Sequence, residues 1–105
     1  MYTRYAIFEG TVHPGRADEF FRLVEERLLP LWREMPYAQV VRGVETDPGA
    51  PPVAMILAID YPSREAIAEA LASPVRTRAR AVTDELVKLF DGRFYHVIGH
   101  RLGAA

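Results

Sequence analysis

A chain of 105 residues with a formal net charge of −1 and no cysteine excludes several function classes at the outset. The length suits one domain over residues 1–105, burying roughly two thirds of its unfolded surface. Without cysteine there are no disulfides, thiolate nucleophiles or Cys-ligated zinc and iron–sulfur sites, and the near-neutral charge supplies no field for nucleic acid or an anionic membrane.

The opening residues, Met1 to Tyr5, lack the apolar stretch of a signal peptide, and the longest clean apolar run, Val53 to Ile59, is too short to span a bilayer. The chain therefore reads as soluble and cytoplasmic. Twelve of the thirteen basic residues are arginine, a bias we attribute to a GC-rich bacterial genome rather than to twelve binding roles.

Residues 2–12 carry aromatic and β-branched residues without helical spacing and end at the turn signal His13-Pro14-Gly15, which predicts a first strand. The period then changes. Phe20, Val24, Leu28, Leu31 and Met35 make one apolar stripe of an amphipathic helix, with Asp18 and Glu19 in its first turn and a kink or break expected at Pro30. Residues 37–46 and 53–61 read as strands joined by the Pro- and Gly-rich hairpin loop 47–52. Ser63 is a candidate N-cap for a short helix through Leu71. Ser73-Pro74 starts a further helix with Val75, Ala79, Val82, Leu86 and Phe90 as its buried stripe, Asp91-Gly92 as its end, and Arg93 to Leu102 as the last strand.

The order β, α, β, β, α(α), β predicts an α+β, ferredoxin-like βαββαβ fold with an antiparallel sheet ordered 4-1-3-2 and helices on one face. The third strand is apolar on both faces, yet helices cover only one. Something must cover the other, and symmetric self-pairing into a dimeric α/β barrel is the commonest solution for a small chain.

Four segments carry a resemblance: the Tyr5–Glu9 strand, the Pro14-Gly15 turn before Glu19-Phe20, the Leu71-Ala72-Ser73-Pro74 helix start, and the closing Phe90-Asp91-Gly92-Arg93-Phe94-Tyr95-His96. Together they resemble EthD-like proteins of the dimeric α/β barrel superfamily, whose relatives include muconolactone isomerases, antibiotic-biosynthesis monooxygenases and stress-responsive A/B barrel proteins. The resemblance implies the fold and a homodimer. It leaves the chemistry open, because relatives range from cofactor-independent oxygenation through isomerisation and decarboxylation to no known activity.

Strand alternation assigns Ala6, Phe8, Gly10 and Val12, with Met55, Leu57 and Ile59, to the helix-covered face. Tyr5, Ile7 and Glu9, then Ile56, Ala58 and Asp60, then Phe94, His96, Ile98 and His100, are left for the barrel interior. On that register His96 and Glu9 approach across adjacent strands. His96 is the candidate general acid or base, and Glu9 the group that orients and charges its ring. The competing account is a histidine held by hydrogen bonds at a dimer interface. Tyr5 and Asp60 form a second candidate pair for a substrate oxygen, with Phe94 and Ile98 lining the same space. Packing for Tyr5, and helix capping or solvent exposure for Asp60, are the plainer alternatives.

Other patterns carry less. His96 and His100 have the spacing of zinc ligands on a helix, but on a strand four residues span about 13 Å, so no metal site is expected. Arg76 and Arg80 share a helix face that we read as solvated, with Arg80–Asp84 an i,i+4 pair and Arg76 or Arg42 able to reach a cavity mouth and hold an anionic substrate. Trp32 and Met35 read as core or barrel rim. There is no glycine-rich phosphate loop and no Ser-His-Asp order, so the expected chemistry uses no cofactor. Two readings remain: an acid–base enzyme acting on a small apolar or aromatic molecule such as a phenol, enol or lactone, or a non-catalytic accessory protein whose barrel is filled by side chains.

Overall fold

The structure, a computed structural model, describes residues 1–37 and 39–103. Its elements are β1 (Tyr2–Val12), α1 (Ala17–Leu23), a π-helical turn (Val24–Leu28), α2 (Leu29–Arg33), β2 (Gln39–Gly43), β3 (Val53–Tyr61), α3 (Arg64–Leu71), α4 (Pro74–Val87) and β4 (Phe90–His100). All strand pairs are antiparallel and the order β2-β3-β1-β4 is the expected ferredoxin-like arrangement. The second strand is shorter than the sequence pattern predicts, and Ala38 of that segment lies outside the described residues. No helix among the described residues is long and apolar enough to cross a membrane.

Both helix starts follow their local chemistry. The Ser63 hydroxyl accepts from the Ala66 amide at 3.1 Å, and the Ser73 hydroxyl from the Arg76 amide at 3.3 Å, with Pro74 at the first helical position, where its missing N–H is no loss. The first helical segment is more unusual. A proline ring clashes with the carbonyl four residues back, here that of Glu26. The turn before Pro30 widens, so that the Leu29 amide bonds Val24 O, five residues back, and the helix continues to Arg33 instead of breaking. The buried residues become Phe20, Val24, Leu28 and Trp32, each four apart, and the predicted stripe member Leu31 is only half-buried.

On β1 and β3 the predicted faces are observed: Ala6, Phe8, Met55, Leu57 and Ile59 are buried under the helices. On β4 the expectation is corrected. Phe94 pairs with Phe8, His96 with Ala6 and Ile98 with Arg4, so Phe94, His96, Ile98 and His100 lie on the helix side. Arg93, Tyr95 and Val97 stand beside Glu9, Ile7 and Tyr5 on the open face. The cause is local. α4 ends at Val87, and Phe90 belongs to β4 rather than to the helix stripe, so the even-numbered residues of β4 continue the core side that Phe90 begins. Asp91-Gly92 is accordingly part of the strand, not a helix end.

Gly92 pairs with Gly10, and both have positive φ, 147° and 141°. A Cβ on Gly10 would lie 2.1 Å from Asp91 O, and one on Gly92 2.1 Å from Glu9 O. No side chain fits between these two backbones. Gly10→Ala or Gly92→Ala is expected to lower unfolding free energy in urea by at least about 2–3 kcal/mol, from strain plus clash. Gly49→Ala, at φ 87° with nothing within 4 Å, should lose only about 1–2 kcal/mol. Equal losses at the two kinds of site would show that the close backbone approach contributes nothing.

Candidate active site

The register of β4 brings His96 to a cavity inside one chain, between the sheet and the helices. Arg4 and His96 reach it from the strands, Trp32 and Met35 from the end of the first helical segment, and Arg76 and Arg80 from α4. Tyr61, Leu57, Ile59, Ala79 and Phe94 complete much of the wall. The enclosed free space is about 60 Å³, room for a few water molecules and well below the ~300 Å³ or more of a typical ligand pocket.

His96 sits at the mouth, exposed on its outer side, with its ring 4.8 Å from that of Phe94 in an edge-to-face contact. Its ring nitrogens make no hydrogen bond to any described residue. Burial of its inner side, followed by the positive charges of Arg4, Arg76 and Arg80, pushes its pKa down to about 4. Water at the exposed side moderates the burial contribution, but every cause acts in the same direction. The imidazole is neutral at pH 7.

Arg4 is half-buried on the helix-facing side of β1, and burial lowers its pKa from the ordinary value. Tyr61, almost fully buried, has its phenol pKa raised by burial and remains a neutral donor. The expected salt bridge of Arg80 with Asp84 is present at 3.8 Å, while Arg78, pointing elsewhere, pairs with Glu34 at 3.0 Å. Arg76 borders the cavity, as its expected reach to a cavity mouth requires, and Arg80, read as solvated, borders it too while remaining exposed.

Glu9 lies on the opposite side of the sheet from His96, so the two do not form a dyad. Its partners are Arg93, whose Nη2 donates at 2.5 Å, and the Tyr95 hydroxyl at 3.1 Å. The hydrogen bond from Arg93 is the main reason its carboxyl is held below the usual range. Tyr5 and Asp60 do share a space, a shallow groove on the open face with Thr3, Val40, Ile56 and Ala58. Asp60 is exposed and accepts from Thr3 Oγ1 at 2.6 Å rather than capping a helix. Ile98 is on the helix side but exposed, outside the cavity; Phe94 lines it.

Two cavity residues were missed by the face assignment. Arg4 precedes Ala6 and Phe8 at the same strand parity, so a guanidinium on an otherwise apolar face was a visible anomaly. Tyr61 continues the Met55, Leu57, Ile59 series in the same way.

The charge environment of His96 makes a pH prediction. A folded pKa of about 4 against an ordinary 6.5 means that the unfolded chain binds the extra proton first, so this residue's contribution to stability falls as pH drops from 6.5 towards 4. In a histidine NMR titration the His96 ring should titrate near 4, and Arg76→Gln should raise that midpoint. An unchanged midpoint would mean that Arg76 does not act on the ring.

No family model matches the chain, and no curated protein does. Solved structures do share the fold. An ethyl tert-butyl ether degradation (EthD) family protein from Bacillus halodurans superposes with a TM-score of 0.71 at 17% identity, over 97% of this chain and 99% of that one. An antibiotic biosynthesis monooxygenase gives 0.66 at 15% identity, over 97% and 99%. A NIPSNAP domain protein from Burkholderia xenovorans gives 0.66 at 16%, over 100% and 98%. The chain has the α+β ferredoxin-like fold of these proteins along its whole length.

Proposed function

We propose that the chain binds a small apolar or aromatic molecule in the cavity between sheet and helices and acts on it by acid–base chemistry without a cofactor. The observation that carries this reading is a neutral imidazole, its ring nitrogens unengaged by the described residues, at the mouth of a cavity bordered by guanidinium groups. A neutral ring can accept a proton from an acidic C–H, phenol or enol of the bound molecule. The anion left behind is stabilised by Arg4, Arg76 and Arg80, and the same negative charge raises the basicity of His96 at the moment it is needed. The neutral Tyr61 phenol is suited to donate to the same oxygen.

The open sheet face supports pairing of two chains. Ile7, Ile56, Ala58, Tyr95 and Val97 make it largely apolar, and Val40 and Val97 remain more than 40% exposed. In a face-to-face dimer the Tyr5–Asp60 groove would lie in the barrel and Glu9 would already be neutralised by Arg93.

One observation favours the accessory reading: the enclosed space of about 60 Å³ holds no drug-sized molecule until Trp32 or Met35 moves. Turnover separates the two readings. Against a panel of phenols, enols and lactones, His96→Gln should reduce kcat by ~100-fold or more, as loss of a general base does. Turnover indifferent to His96, or absent across the panel, would transfer the protein to the accessory class. For the dimer, the wild type should sediment at twice the 11.9 kDa of one chain and Ile56→Glu at that single mass; a monomeric wild type overturns the pairing.

A further inference from the structure

The cavity carries a charge imbalance that acid–base chemistry alone does not require. Arg4, Arg76 and Arg80 border it, and among the described residues no aspartate or glutamate does, in a chain whose net charge is −1. Arg80 is partly satisfied by Asp84 outside the cavity. The guanidinium groups of Arg4 and Arg76 make no hydrogen bond or ion pair to any described residue, although both side chains are half-buried. They are close enough for the charge of Arg76 to bear on Arg4. Two like charges held together at a half-buried site, with a histidine kept neutral beside them, are unfavourable unless an anion completes the cluster. Below them the wall is apolar, formed by Ala6, Leu57, Ile59 and Phe94.

We infer that the cavity, opened by movement of Trp32 or Met35, is selective for a carboxylate attached to a planar apolar ring, the carboxylate bridging Arg4 and Arg76 and the ring directed against the strand residues. The inference rests on the cavity of the proposed function but not on catalysis by His96. Arginine suits the role because its planar fork matches a carboxylate at two points, and a charge-assisted pair at a partly desolvated site is stronger than one in open water.

Benzoate and its neutral isostere benzamide, titrated into the full chain by calorimetry with His96 followed by NMR, test this. Benzoate should bind at least tenfold tighter than benzamide, shift the His96 ring signals and raise their titration midpoint. Arg76→Gln and Arg4→Gln should each weaken benzoate at least tenfold and leave benzamide within about twofold. Thermal melts check that both variants fold; if Arg4→Gln does not, Arg76→Gln in the first turn of α4 decides alone. Equal affinity for the two probes overturns the selectivity and leaves the cavity reading standing. Benzoate binding untouched by the arginine variants, or no saturable binding, overturns the assignment to this cavity, while His96-dependent turnover still stands as a separate result.

Discussion

Phe8 meets Phe20 at 5.6 Å, Phe90 at 5.5 Å and Phe94 at 4.5 Å between ring centroids, and only 1% of its surface reaches solvent. These rings come from the first half of β4, from the inner strand β1 and from the first helix, so one cluster fixes which side of the sheet is the core. Because β1 is hydrogen-bonded on both edges, its parity passes to β3 and β4 residue by residue. With Phe8 inward, Ala6 and Arg4 are inward too, and their partners His96 and Ile98 follow. The cavity is therefore a by-product of the aromatic packing: Arg4 occupies the core-side position four residues from Phe8 on β1, and His96 the one two residues from Phe94 on β4.

The two faces of the sheet treat charge differently. On the open face Glu9 is met by a guanidinium and a phenol, so an acid and its partners are balanced before anything else approaches. On the helix side three guanidinium groups gather without an acid among the described cavity residues. A face that meets Glu9 with its own cation is suited to lie against a second copy, since that carboxylate enters the contact already paired. A surface left unbalanced is suited to a ligand that carries the missing sign.

Most of the fold was legible in the sequence. Period changes, two serine caps, a proline at a helix start and two apolar strand runs specified the element order and the sheet order. The site was legible only in part. His96 was recognised as the titratable group of interest, but its partner was misassigned because Phe90 satisfies a helical stripe and a strand core position equally well. Taken as the last helical residue, it leaves the parity of β4 to be guessed from Phe94-Tyr95-His96-Val97-Ile98, where both alternating sets are amphipathic. Taken as the first strand residue, it settles that parity. Arg4 was legible in principle, as a charge at a core position. Arg76 was named as able to reach a cavity mouth, but Arg80 was not, since helix spacing says that the two share a face but not what that face meets.

The widened turn at Val24–Leu28 has a further bearing on the cavity. A regular helix advances one turn every 3.6 residues, so residues spaced by four drift round its surface. The wider turn takes up the drift, and Trp32 arrives beneath the sheet in line with Phe20 and Leu28. With one residue removed and the turn closed to the ordinary pitch, Trp32 would stand eleven positions after Phe20, close to three full turns, and would still face the sheet. Closing the turn with all its residues kept would instead rotate everything after it by about 100° and take the indole and thioether wall from the cavity while every strand stayed in place. The segment thus works as a phase corrector, absorbing one extra residue so that the pocket wall keeps its facing without disturbing the sheet.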